Sequence, residues 1–224
     1  MAKSSAKQQV REARRDVHRT LLIEAAERVF AACGYDKTRM QDVAAESGLA
    51  MATVYGIVSS KEELYAEVHR VRGRAMLEAA IQATVGVESA FEAFLAGIGA
   101  YTEFLVHHQH YLRLHLHESQ PWAVQPRFHS DEQAQLWKEG LQLTTEVLRA
   151  AIDEGSVVDE NPTVLARLMI AAHQVFLAEW VAQGMVEAPA ALVARMQAHA
   201  ERAFGTGRRR PSRSGGGSRR AARA

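Results

Sequence analysis

Leu22 to Leu64 reads "LIEAAERVFAACGYDKTRMQDVAAESGLAMATVYGIVSSKEEL", and the spacing of its apolar residues decides the fold. From Thr20 onward, Leu22, Ala25, Ala26, Val29, Phe30 and Cys33 recur at the interval that puts them on one face of a helix. Gly34 follows as a stop, because glycine enters the left-handed region that closes a helix without a Cβ penalty. Thr38-Arg39-Met40-Gln41 has the form of a capping box and predicts a short second helix carrying Met40, Val43, Ala44 and Ser47 on one side, ended by Gly48. Ser60-Lys61-Glu62-Glu63 is another capping box, opening a helix that turns Leu64, Val68 and Val71 inward. Between the two boxes there is room for about two helical turns. Small Ala44 where the helices cross, Gly48 at the tight turn and Val54 packing back between them make a helix-turn-helix pattern.

Outside this stretch the chain stays helical in composition. Its 224 residues are 47% apolar, and alanine, leucine, glutamate and arginine dominate. An all-α protein of about nine helices is expected. Later spans are predicted at 61–83, 89–107, 109–118, 130–154, 162–184 and 188–204, broken at Gly86, around Pro121 and Pro126, at Gly155, and at Gly184 before Pro189. The final "GTGRRRPSRSGGGSRRAARA" has nothing to bury and is predicted to be disordered. The expected organisation is a basic arm at 1–19, a helix-turn-helix domain at 20–72, a larger helical domain at 73–204 and a tail at 205–224. Cys33 stands alone, which excludes an intrachain disulfide and a cysteine-based zinc site and fits a reducing compartment. The N-terminus has no apolar signal region and no stretch approaches eighteen uninterrupted apolar residues, so a cytoplasmic protein is expected.

The formal net charge of +1 hides an asymmetry. Residues 1–72 hold 12 Lys/Arg against 10 Asp/Glu, residues 73–204 hold 8 against 16, and residues 205–224 hold 7 against none. Basic ends suit a polyanion such as nucleic acid, while the acidic middle argues against the whole surface binding one.

The Leu22–Leu64 stretch resembles the N-terminal signature of the TetR family of bacterial transcriptional regulators. Its AA-x-x-x-F helix leads to Gly34-Tyr35, Thr38, Val43-Ala44, Gly48, then Thr53-x-Tyr55 and Ser60-Lys61-Glu62. The resemblance covers about a fifth of the chain and implies a homodimeric, ligand-responsive regulator, most often a repressor released from a palindromic operator by a small molecule. It places Met51–Val58 as the recognition helix in the major groove, Val54 and Ile57 facing inward and Met51, Ala52, Thr53, Tyr55 and Gly56 available to DNA. Thr38, Arg39 and Lys61 are expected at the phosphates, near helix starts. Ala50 stands where the family commonly has a capping serine, and Gly56 costs the helix about 1 kcal/mol. A rival reading is a ligand-binding or protein-interaction module of the same fold whose degenerate recognition helix no longer reads DNA.

"VHHQHYLRLHLHESQPW", Val106 to Trp122, holds five histidines in eleven residues. On one helix His108 and His115 would share the face of Tyr101, Phe104, Tyr111 and Leu112, with His110 and His117 opposite. No pair has the i, i+4 spacing of helical zinc ligands, and no carboxylate joins them, so neither a metal site nor any other cofactor is expected. No nucleophile and base constellation is recognisable either, which argues against an enzyme. The resemblance instead implies an effector pocket, with the break near Gln109 that the family has there. Phe94, Tyr101, Phe104 and Tyr111 are expected to line it with His115, Trp122, Trp137 and Phe176, suiting an apolar or aromatic effector. A core histidine is the alternative for His115. Dimerisation is expected through the last two helices, using Leu165, Met169, His173, Phe176, Leu177 and Trp180 on one and Leu192 and Met196 on the other.

Overall fold

The computed structural model describes residues 2–117, 123–124 and 127–207, with the side chains of 2–6 and His117 left aside. Among these residues there are nine helices and one isolated bridge between Val157 and Gly205. They run α1 Ala2–Lys37, α2 Met40–Ser47, α3 Met51–Tyr55, α4 Lys61–Gln82, α5 Ala90–His107, α6 Gln109–His117, α7 Asp131–Asp153, α8 Pro162–Ala182 and α9 Pro189–Phe204. The local reasons are those of the sequence. Ser60, Ser89 and Ser130 each accept a bond from the backbone N–H three residues on, and Asn161 precedes Pro162 and accepts from Thr163 N and Val164 N. The turn after α2 passes through Gly48 at φ 67, a conformation that a β-carbon would disfavour.

Four expectations are corrected. The segment at 1–19 is no separate arm: α1 is helical from Ala2, and only Gly34, at φ 77 and ψ 168, interrupts its helical geometry. Thr38 does not cap α2; Arg39 occupies that position without a side-chain bond, while the Thr38 hydroxyl turns back and donates to Gly34 O at 2.8 Å. α3 stops at Tyr55, shorter than the Met51–Val58 span, because the chain turns at Gly56 and buries Val58. Val71 lies outward rather than inward.

The core is continuous through the molecule. At the N-terminal end Leu22, Ala26 and Phe30 of α1 meet Val43 and Val54 of the small helices and Leu64, Tyr65 and Val68 of α4. α6 lies against α1, α5 against α4 and α9, and α7 against α4, α5 and α8. α8 is, among the described residues, the one helix long and apolar enough to cross a membrane by length and composition, but its inward face packs on α7 and α9. Three ion pairs brace α4: Arg19 of α1 to Glu67, Arg72 Nε to Glu27 Oε2 of α1 at 2.7 Å, and Arg74 to Glu139 of α7, also at 2.7 Å.

The Glu27 carboxylate is buried whereas Arg72 is partly exposed, so the two halves of this pair are not equivalent. Arg72→Ala strands a buried negative charge and is expected to cost about 2–4 kcal/mol, more than Glu27→Gln, which leaves Arg72 able to reach water. Urea unfolding of both variants measures the asymmetry, and equal losses would contradict it.

Candidate functional site

The small helices present a surface and the long helices enclose a cavity. On the surface, Val54 and Val58 are buried and Ile57 is partly so, which anchors α3 and leaves its other side outward. Tyr55 is 52% exposed; Ala52 and Gly56 are exposed, and Met51 and Thr53 partly so. Arg39 is exposed at the start of α2. Ala50 supplies no side-chain cap to α3. Two of the expected phosphate residues are otherwise engaged. Thr38 is buried, with its hydroxyl on α1. Lys61 reaches the end of α1, donating to the carbonyls of Tyr35 at 2.9 Å, Thr38 at 3.2 Å and Asp36 at 3.4 Å, with its Nζ 4.4 Å from the Tyr35 ring centre. All three ammonium protons are thereby used, and Lys61 braces α4 on the C-terminal end of α1 instead of standing free for a phosphate.

A cavity of about 300 Å³ lies between α4, α5, α6, α7 and α8. On α4 its lining residues are His69, Gly73, Met76, Leu77, Ala80 and Ile81, one helical stripe with a rise of about 18 Å, and Thr84 follows in the turn after the helix. Of the residues expected at an effector pocket, Phe94, Tyr101, Tyr111, His115 and Trp137 line this cavity. Phe104 and Phe176 do not. Phe104 stacks on His108, ring centres 4.0 Å apart, and Phe176 sits between α8 and α9 against His199 at 5.2 Å and under Arg195 at 4.9 Å. Trp122 lies outside the described residues. Four of the five histidines are divided: His108 ends α5 with Nδ1 on Phe104 O at 2.8 Å, His107 and His110 are exposed, and His115 enters the cavity, while the His117 side chain lies outside the described residues. Among the described residues no three His, Cys, Asp or Glu side chains share a place that could hold a metal ion.

Two histidines not expected at this site join it. His69, 1% exposed, has Nδ1 hydrogen-bonded with the Tyr111 hydroxyl at 3.0 Å, and its ring centre is 5.5 Å from that of His115. His173 lines the other side, with Nε2 3.2 Å from the Thr102 hydroxyl, which itself donates to Ile98 O. Gly73 makes the polar end possible, since a β-carbon there would stand 2.7 Å from Leu136 Cδ1 and 2.9 Å from the Tyr111 hydroxyl. Burial pushes His115 and His173 down to about 4 and Tyr101 up to about 12, and holds His69 well below the ordinary histidine value, reinforced by His115 and His129. These polar groups are neutral at physiological pH. From His69 an aromatic series leaves the cavity: Tyr65 at 4.6 Å, then Phe30 and Tyr35, each 4.9 Å from Tyr65.

His173 was expected in a dimer interface with Leu165, Met169, Leu177, Trp180, Leu192 and Met196, and all seven are buried within one chain. The apolar residues that α8 exposes are Val164, Leu168 and Val175, on another face.

Known structures share this architecture. A tetR-family regulatory protein from Rhodococcus RHA1 superposes with a TM-score of 0.69 at 21% identity, over 84% of this chain and 97% of that one. The ketosteroid transcriptional regulator KstR2 of Mycobacterium tuberculosis does so with 0.69 at 22%, over 84% and 94%. The regulator FadR from Bacillus subtilis, solved with stearoyl-CoA, gives 0.68 at 19%, over 81% and 96%. No curated protein matches the chain in sequence. Residues 22–68 match the family described as bacterial regulatory proteins, tetR family. The match covers about a fifth of the chain, and over the rest the likeness is one of fold. In TetR terms the matched segment holds α2 and α3, the first part of α4, and α1 from Leu22 onward. It ends at Val68, one residue before the His69 that opens the cavity.

The neutral imidazoles make stability depend on pH. His115 and His173 titrate near 6.5 when unfolded and about 4 when folded, so the unfolded chain binds more protons between these values. Stability is therefore full above about pH 6.5 and falls as pH drops toward 4, by at most about 3 kcal/mol for each group. Denaturant unfolding across this range should show that fall, and His173→Gln should flatten it; an unchanged slope in the variant would contradict the assignment.

Proposed function

We propose that this TetR-family chain is a homodimeric, ligand-responsive transcriptional regulator that occupies a palindromic operator and leaves it when a small molecule enters the cavity. The observation that carries the reading is the sharing of α4. The helix starts beside the DNA-facing helices, hooked by Lys61 to the end of α1, and continues as one wall of the cavity from His69 to Ile81. A helix moves as a unit, so a ligand that displaces its cavity half shifts its DNA half and the spacing between two recognition helices. Tyr65, packed between Phe30 and His69, is the contact through which the two halves meet. The similar proteins named above support the ligand side of this reading, one being a ketosteroid regulator and one holding stearoyl-CoA. The effector is apolar, and the site of action is the cytoplasm, where DNA is.

At the duplex, α3 enters the major groove with Met51, Ala52 and Thr53 toward bases, while Tyr55 and Arg39 hold phosphates. The dimer forms through the outward stripe of α8, Val164, Leu168 and Val175, at i, i+4 and i+11.

Gel shift against DNA upstream of the chain's own gene should give a specific complex, and Arg39→Ala should weaken it on every sequence and reduce the salt slope by about one. Substitutions at Met51 or Ala52 should change which site is preferred. A random-site selection that yields no duplex above non-specific affinity would leave the rival module, one that binds ligand without reading DNA. Leu168→Glu with Val175→Glu should give a folded monomer in light scattering, because both positions are exposed in the single chain and surface changes alone cost about 0.5 kcal/mol or less. The same double variant should lose operator affinity; a dimer that survives it would place the interface elsewhere.

A further inference from the structure

We propose that the cavity takes an uncharged, chain-like apolar molecule bearing one hydroxyl or carbonyl oxygen, and that His69 Nε2 binds that oxygen. The proposal rests on reading the cavity as the effector site and names the chemistry that the site selects. Its starting point is an unfinished hydrogen-bond set. His69 is buried to 1% exposure and lines the cavity; Nδ1 is used by Tyr111, and Nε2 has no hydrogen-bond partner among the described residues. Buried ring nitrogens are ordinarily paired, because the desolvation penalty of an unpaired one is not recovered elsewhere. The direction of the Tyr111 bond sets what Nε2 can do. If the phenol donates to Nδ1, Nε2 carries the proton and offers a donor to a carbonyl; if Nδ1 donates, Nε2 is an acceptor for a hydroxyl. Both alternatives ask for oxygen on the ligand.

Charge is disfavoured at that position. Arg127 is the one permanently charged side chain among the described lining residues, and it is exposed. Among the described residues no carboxylate lines the cavity, so an ammonium brought to His69 would meet no counterion among them. A carboxylate there would face the neutral imidazoles of His69 and His115. The shape of the cavity completes the description. The α4 wall runs about 18 Å from His69 to Ile81 and is apolar beyond Gly73, with Thr84 following in the turn after the helix. A stripe of that length on one helix outlines a channel, which an extended chain fills better than a compact ring system.

Four matched probes test this on the full chain by titration calorimetry: decanol, decyl methyl ketone, decanoate and decyltrimethylammonium. One of the two neutral probes should bind at least tenfold more tightly than either ion, and whether alcohol or ketone wins identifies the role of Nε2. In His69→Asn the amide sits where Nδ1 was, keeping a partner for Tyr111 while removing the Nε2 position, and should weaken the preferred neutral probe two- to tenfold. His69→Gln, whose amide reaches the Nε2 position, should restore most of that loss. Ions binding as tightly as neutral probes, no binding by any of the four, or an affinity unchanged in His69→Asn would overturn the proposal. Should His69→Asn fail to fold by circular dichroism, the ranking of the four probes on the wild-type chain still decides. Gel shifts on the same preparations separate the two readings. Neutral probes that bind as ranked yet leave an operator complex intact would uphold the ligand class and sink the effector reading, whereas release by an ion would do the reverse.

Discussion

The burial of α4 at both ends, against different neighbours, is the constraint from which the arrangement of the other helices follows. Leu64, Tyr65 and Val68 complete the small core with Leu22, Ala26 and Phe30, while Gly73, Met76 and Leu77 belong to the cavity wall. A helix of 22 residues is stiff along its axis because each turn is tied to the next by backbone hydrogen bonds. Neither end can be repositioned without carrying the other. The ion pairs from Arg72 and Arg74 bracket Gly73, where α4 passes from its packing on α1 to the cavity wall. Exposed pairs contribute about 0–1 kcal/mol, so the attachment rests on the apolar contacts and the half-buried Glu27 pair, with Arg74–Glu139 a minor addition.

The cavity combines an apolar wall with buried polar groups that are neutral, while Arg127, the charged lining residue among those described, is exposed. Imidazole suits this role because each ring has one donor and one acceptor whose positions exchange with the tautomer, so a neutral histidine adapts to either kind of ligand oxygen. A carboxylate or ammonium in the same place would have to be paired or would change its protonation state. His173 and Thr102 show the satisfied form of such a group, with Thr102 also tied to Ile98 O. His69 shows the same chemistry left half complete. A site built to hydrogen-bond one oxygen discriminates against analogues that lack it far more than an apolar pocket discriminates between hydrocarbons differing by a methylene.

Much of the fold was legible because its signals are local. Capping serines, Gly48 and the alternation of Leu22, Ala26 and Phe30 act within a few residues, and the later helix boundaries fell within two residues of their predicted places. Where the reading failed, the missing information was tertiary. Thr38 has the residue type and spacing of a cap, but the end of α1 offers its hydroxyl a nearer acceptor in Gly34 O. Lys61 was placed at DNA, and the carbonyls of Tyr35 and Thr38 that hold it come from a segment more than twenty residues away. On α8 apolar residues occupy more than one face, so spacing cannot say whether Leu165, Met169 and Trp180 or Val164, Leu168 and Val175 turn inward. The first set fills the chain's own core. His69 carried no signal at all: it sits between Val68 and Arg70 in an ordinary charged helix, and only the approach of Tyr111 and His115 from α6 makes it part of a site.

The glycines of the cavity show that stability alone did not shape this sequence. Gly97 and Gly140 lie in α5 and α7 and line the cavity. A β-carbon at either would meet its nearest neighbour at 3.7 Å or 3.5 Å, ordinary contact distances, so alanine fits both. Each glycine costs its helix about 1 kcal/mol relative to alanine. Alanine would recover that energy and take cavity volume in return. Gly73 differs, because there a methyl group collides with Leu136 and the Tyr111 hydroxyl and would disturb the partner of His69 directly. An interior with no occupant to admit gains nothing from the two open positions, Gly97 and Gly140, on two walls of one space. The energy forgone at Gly97 and Gly140 is the stability–function compromise expected of a binding site, and it supports the reading of the cavity as that site independently of the histidines.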